Sequence, residues 1–223
     1  MMDEVNQQSK ASRSYGQFCA LARSLDVVGE RWTLLIVREL LPGPMRYTEL
    51  KTSLNGIATN LLAERLRTME TNGIVERRLE GSGVAYALTR RGAELRAPME
   101  ALGRWGAPLL ATGRGDDAFQ PRWLTLALPA LLRGASASLP VELGIETDGF
   151  LMALRVDEDG PSAFVPEQVP TSVFTAAPDV VVALAAGAIS IEQAVAAGEF
   201  RGDSNVLRTA FEQHQPRSGP QQF

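Results

Sequence analysis

Apolar residues recur at helical spacing through the first third of the chain, give way to a short alternating stretch, and then return to helical spacing. Phe18, Leu21, Ala22, Leu25 and Val28 predict a helix over 15–28, broken by Gly29-Glu30-Arg31. Residues 33–41 are apolar on most sides, which predicts a buried helix that Pro42-Gly43-Pro44 ends. A third short helix, about 45–54, turns Tyr47, Leu50 and Leu54 inward. In the next one Leu62, Leu66 and Met69 share a face, while Asn60, Ala63, Glu64 and Arg67 point the other way at about 100° per residue. Asn72-Gly73 stops it, because glycine accepts the left-handed conformation that ends helices. Residues 74–79 and 84–88, around Glu80-Gly81-Ser82-Gly83, predict a β-hairpin. After Thr89-Arg90-Arg91-Gly92 a long helix lines up Leu95, Met99, Leu102, Trp105 and Leu109, with Pro98 and Pro108 limiting its regularity.

Beyond a linker at 112–117, an apolar helix is expected over 123–132, interrupted at Pro129. Extended segments follow near 139–146, 150–156, 163–165 and 172–176, with turns at Thr147-Asp148-Gly149 and Asp157-Glu158-Asp159-Gly160. Helical pieces at 178–186, 191–197 and 205–213 close the chain. The fold class expected is α+β in two units, residues 15–112 and 119–215, behind a disordered tail at 1–14.

Composition agrees with two ordinary globular cores: 223 residues, 45% hydrophobic and 22% charged. No apolar run approaches the roughly 20 residues of a spanning helix, and the polar N-terminus lacks a signal-peptide core, so no membrane partner is expected. A single cysteine excludes an internal disulfide framework and fits a reducing cytoplasm, the expected location. The net charge of −4 is unevenly divided. Residues 1–114 hold 16 Lys and Arg against 12 Asp and Glu, a net of +4; residues 115–223 hold 6 against 14, a net of −8. A basic module joined to an acidic one is the division expected when only the first faces phosphate.

A helix with a polar outer face, followed by a hairpin bearing adjacent arginines, suits a DNA duplex: the helix enters the major groove and the hairpin flanks it. Asn60 can offer its amide to adenine and Arg67 its guanidinium to guanine, with Ala63 between them on the same face. Thr59 suits a cap or a phosphate contact, and Arg46, Arg65, Arg77 and Arg78 are the phosphate candidates. The stripe Leu95, Met99, Leu102, Trp105 and Leu109 is the candidate homodimer interface, or else packs on the second domain.

In order and spacing, residues 16–105 resemble the HxlR-type winged helix-turn-helix regulators, relatives of the MarR group. The resemblance is carried by Cys19-Ala20-Leu21-Ala22-Arg23, the run Val28 through Ile36, Arg46-Tyr47-Thr48-Glu49-Leu50, the helix containing Asn60 and Arg67, and Tyr86-Ala87-Leu88-Thr89-Arg90-Arg91-Gly92. It implies a homodimer that binds an operator, and it makes Cys19 a candidate redox or electrophile sensor, against the ordinary role of a small buried hydrophobe. Two departures stand out: Ala20 follows the cysteine where the family often has proline, and the wing tip lacks the usual proline and arginine before Tyr86, which leaves Arg77 and Arg78 as its anchors. The stretch from Ala177 to Gly187, with Glu192 to Asp203, resembles the C-terminal part of sterol-carrier-protein type domains, a sheet backed by helices around an apolar tunnel. That makes Trp123, Leu126, Phe150, Met152, Phe164 and Phe174 candidates to line a site for a hydrophobic small-molecule effector.

No cofactor and no metal are expected. His214 is the lone histidine and sits in a polar tail, and Asp157-Glu158-Asp159 reads as a turn, so the chain carries no catalytic constellation. The two Arg-Gly-Asp tripeptides, at 114–116 and 201–203, are coincidental in a cytoplasmic chain. The expected function is a homodimeric, DNA-binding transcriptional repressor that is not an enzyme. The alternative is a lipid or small-molecule carrier whose winged helix binds protein.

Overall fold

The computed structural model describes residues 14–81, 83–112 and 115–211. The tail expected at 1–14 lies outside these except for its last residue, as does His214. The buried side chains form two clusters, one in each half of the chain.

In the first half α1 (Ala20–Val28), α2 (Thr33–Leu40), β1 (Met45–Arg46), α3 (Tyr47–Ser53) and α4 (Thr59–Thr71) precede the hairpin of β2 (Val75–Glu80) and β3 (Gly83–Leu88). Ile36, Val37, Leu50, Leu54, Leu62, Leu66 and Met69 meet in one core, as the helical spacing requires. Gly73 takes φ +66 just past α4, the left-handed stop expected of it. Two short features depart from expectation. Residues 45–46 are a strand rather than the first turn of α3, and they pair with β3 to make a three-stranded sheet, β1-β3-β2. The first helix begins at Ala20, and of its predicted inward face only Ala22 is buried; Phe18, Leu21 and Leu25 stand exposed.

The long helix expected after the hairpin is broken into α5 (Arg90–Ala93), α6 (Arg96–Gly106) and a 3-10 segment, Ala107–Thr112. Thr89 caps α5 with its hydroxyl, and Gly92 packs so tightly that a methyl group there would meet the Ile74 carbonyl.

The second half opens with a 3-10 turn (Pro121–Trp123) and α7 (Leu124–Leu131). Strands β4 (Val141–Thr147), β5 (Phe150–Asp157), β6 (Gly160–Phe164), β7 (Val173–Thr175) and β8 (Glu199–Arg201) form one sheet in the order β6-β5-β4-β7-β8. Only β4 and β7 run parallel. The two-residue turn Asp148-Gly149, both with positive φ, joins β4 to β5 as a twisted hairpin requires. Helices α8 (Pro178–Ala185), α9 (Ile191–Ala196) and α10 (Ser204–Phe211) contribute Val181, Leu184, Ala194, Leu207 and Phe211 to the core on the sheet's inner face, with α7 beside them. β8 escapes the periodicity because three residues are too few to show alternation; Phe200 sits opposite Phe174.

The halves touch along α6 and α7, where Arg96 Nη1 donates to the Thr125 carbonyl at 2.9 Å and Leu126 packs on the first core. A second contact joins the Pro121–Trp123 turn to α2 and α3.

Candidate nucleic-acid interface

Thr59 and Asn60 open α4 and Arg67 lies two turns on; all three are exposed, with Ala63 half-buried between them. Ala58, not Thr59, is the N-cap, so the Thr59 hydroxyl stays free of the capping role considered for it. Asn60 Oδ1 accepts from the Leu61 amide at 3.0 Å, and Arg67 Nε donates back to the Ala63 carbonyl at 3.2 Å. Both are local bonds on a solvent face, easily exchanged for contacts to base edges. The helix is aimed by α3: Tyr47 Oη donates to the Thr59 carbonyl at 2.7 Å and Lys51 Nζ to the Ile57 carbonyl.

The register of the small sheet sorts the arginines. Arg46 and Arg78 both pair with Ala85, one from each side, so these two cations share one sheet face across a small residue. Arg77 pairs with Tyr86 on the opposite face, its guanidinium 5.6 Å from that ring and its Nε 2.9 Å from Glu70 Oε1. Arg78 is held by Glu76 at 2.6 Å. Both ion pairs are exposed and stabilise the fold little, so phosphate can replace the carboxylates cheaply. Arg65 is different. Its side chain turns inward, donates to Glu30 Oε2 at 2.6 Å and to the Arg31 carbonyl at 3.3 Å, and stitches α4 to the α1–α2 loop. In this structure its guanidinium is committed to that bridge, because an i+3 neighbour of the buried Leu62 sits at the edge of the core face.

The candidate dimer stripe also divides. Met99 is buried in the first core, and Leu95 is half-buried against it. Leu102, Leu109 and Leu110 are exposed and Trp105 is 74% exposed; Leu21 and Leu25 of α1, and Phe18 before it, are exposed as well. Cys19 is exposed at the N-cap of α1 rather than buried as a small hydrophobe.

The six residues expected around an effector cavity do not converge. Met152 and Phe174 are sealed in the second core, with Phe150 packed against it. Phe164 pairs with Ala153 and therefore lies on the other sheet face. Trp123 and Leu126 face the first domain. Two clefts stand out elsewhere: about 380 Å³ between α3 and Gln120 and Arg122, and about 270 Å³ between α1 and the start of α6. Among the described residues no group of His, Cys, Asp or Glu could hold a metal, and no helix is long and apolar enough to cross a membrane.

One buried polar residue escaped sequence reasoning. Glu39 on α2 is 0% exposed and gathers donors from both halves of the chain. An isolated acidic residue in an apolar run carries no signal of the partners that neutralise it, so only the tertiary structure could find it.

A helix-turn-helix with a β-hairpin wing, exposed side chains on its second helix and cations along the sheet, defines a winged-helix DNA-binding protein. Residues 27–113 match the family model described as HxlR-like helix-turn-helix. An uncharacterized HTH-type transcriptional regulator of Synechocystis is 34% identical over 98 residues, covering 43% of this chain and 73% of that protein. The HTH-type transcriptional regulator YodB of Bacillus subtilis is 35% identical over 85 residues, 37% of this chain and 76% of its own. The crystal structure of quinone-bound YodB from B. subtilis covers 40% of this chain and 96% of its own at 34% identity, with a TM-score of 0.36. The chain belongs to the HxlR-like helix-turn-helix family, and its relatives are transcriptional regulators.

Proposed function

We propose that the protein is a homodimeric transcriptional repressor of a near-palindromic operator. The carrying observation is the exposure of Asn60 and Arg67 on α4, with half-buried Ala63 between them, together with the Arg46–Ala85–Arg78 row on the small sheet. In this reading α4 of each protomer lies in a major groove, with successive half-sites about one helical turn apart. Asn60 and Arg67 read base edges while Thr59, Arg46, Arg77 and Arg78 hold phosphates. Leu102, Trp105 and Leu109 meet their symmetry mates, extended by Phe18 just before α1 and by Leu21 and Leu25 on it. The acidic second domain, of sterol-carrier type in this reading, is a scaffold docked away from the phosphates.

The test is the salt dependence of binding to the duplex directly upstream of its own coding sequence. Arg46→Ala, Arg77→Ala and Arg78→Ala should each flatten the slope of log affinity against log salt by about one unit, on specific and non-specific DNA alike. Asn60→Ala or Arg67→Ala should instead relax preference at single base positions, at about 1–3 kcal/mol each. Unchanged slopes in all three arginine variants would remove the sheet from the interface.

A further inference from the structure

One of the two contacts between the acidic domain and the DNA-reading head, the one beside α2 and α3, is centred on a buried carboxylate and flanked by Gln120, whose amide bonds Ser53 directly. Trp123 Nε1 donates to Glu39 Oε1 at 2.7 Å, and Arg38 donates to the same oxygen from Nε at 3.0 Å and Nη2 at 2.7 Å. Ser53 Oγ donates to Glu39 Oε2 at 2.5 Å. Arg122 Nη2 donates to the Glu39 main-chain carbonyl at 3.1 Å, and its Nε lies 3.8 Å from Oε2. The Arg38 guanidinium stacks 3.7 Å over the Trp123 ring. A carboxylate with no exposure is tolerated only when its charge and lone pairs are met, so these donors are mutually dependent. Two belong to α2 and α3 and two to the turn that opens the second domain.

Ser53 is the last residue of α3, and α3 sets the start of α4 through Tyr47 and Lys51. We propose that Glu39, Trp123 and Arg122 are positioning residues for DNA recognition: the second domain holds α3 through Glu39 and Ser53 and so fixes where Asn60 meets a base. The inference rests on the operator-binding reading of α4. It makes the acidic domain part of the reading head rather than a passenger, because a shift of the Pro121–Trp123 turn alters the partners of a residue shared with α3. The coupling needs no change in the number of phosphate contacts, which distinguishes it from a loss of charge.

The test uses the full chain carrying Trp123→Phe, which keeps the ring and removes the indole donor, with Glu39→Gln as the second variant. Two quantities are read well below each variant's melting temperature: amide hydrogen exchange across 47–54, and the ratio of affinities for the upstream duplex and an unrelated duplex at one salt concentration. The expected result is faster exchange in 47–54 with little change over 20–28, and a specific-to-non-specific ratio lowered about tenfold, the size expected for one lost hydrogen bond to a charged group. Non-specific affinity and its salt slope should stay at wild-type values. An unchanged ratio overturns the proposal, leaving Trp123 a stabilising contact only, and so does a changed ratio without altered exchange in 47–54. If the unaltered chain itself shows no preference for its upstream duplex, the operator reading fails instead. The exchange arm then decides alone whether Trp123 holds α3.

Discussion

In the first domain Phe18 just before α1 and Leu21 and Leu25 on it, together with Leu102 and Trp105 on α6 and Leu109 in the 3-10 segment that follows, lie open to solvent. In the second, Met152, Phe174 and Phe211 are completely enclosed, and the large apolar residues left outside, such as Leu139, Val169 and Val195, come from separate elements. The basic domain leaves an unfinished apolar surface on two of its helices, whereas the acidic domain closes on itself. Scattered exposed apolar residues are ordinary; several at helical spacing along one segment mark a face that something covers. The proposed dimer draws on the first domain for that reason, and the contrast explains why the predicted ligand-lining residues Phe150, Met152 and Phe174 of the second are occupied with packing.

The most severe way to break this comparison is Trp105→Glu. In the proposed dimer it buries a charge against its own symmetry mate, and an uncompensated buried charge is not tolerated. Sedimentation should show a monomer at micromolar concentration, and operator affinity should fall by at least about a hundredfold as the two half-sites lose their linkage. An intact dimer in this variant would remove Trp105 from the interface and leave the open surface unexplained.

The same contrast separates two truncations. Phe174→Ala should cost about 3–5 kcal/mol, measured by denaturant unfolding, because it opens a void in a closed core. That loss should not depend on protein concentration. Leu102→Ala should change the stability of the separated monomer by no more than about 0.5 kcal/mol. In the dimer it should lower the melting temperature by an amount that varies with protein concentration, since the lost contact is intermolecular. A concentration-independent loss for Leu102→Ala would place that residue in an intrachain contact.

Much of this architecture was legible from periodicity. Leu62, Leu66 and Met69 define α4 because burial on one face imposes the helical repeat, and Gly73 and Gly149 mark turns that need positive φ. The exposed Asn60 and Arg67 follow as the opposite face of the same helix. Periodicity does not tell which partner covers an apolar face, so α1 and α6 were legible as amphipathic but their uncovered state was not. Charge gives no better guidance by itself. Arg65 and Arg67 stand two positions apart, yet the first is ion-paired with Glu30 and the second bonds back to the Ala63 carbonyl of its own helix, a difference set by an acidic residue 35 positions away. Glu39 fell to the same blindness, its partners lying 14 and 84 positions distant.

The smallest expected effect lies where the two domains join. Glu100 on α6 lies one turn past Arg96, which bonds to α7; burial pushes the Glu100 carboxyl above the ordinary range, while Arg96 at 3.9 Å and Arg104 pull it back. A carboxyl whose folded pKa is raised favours the folded chain when protonated. Its contribution is present below the unfolded carboxylate pKa and is lost as pH rises through the raised folded value. Replacing it by glutamine, which carries no charge at any pH, removes that dependence. The difference in melting temperature, Glu100→Gln minus the unaltered chain, should therefore move in the variant's favour as pH is raised from the acid side of the carboxylate range to neutrality. The shift should be modest, since the Arg96 partner offsets part of the burial cost and is itself pulled below its ordinary value by desolvation. A difference that moves the other way would mean that the Arg96 and Arg104 charges outweigh burial, making the α6–α7 contact an ion-paired seam rather than a desolvated one.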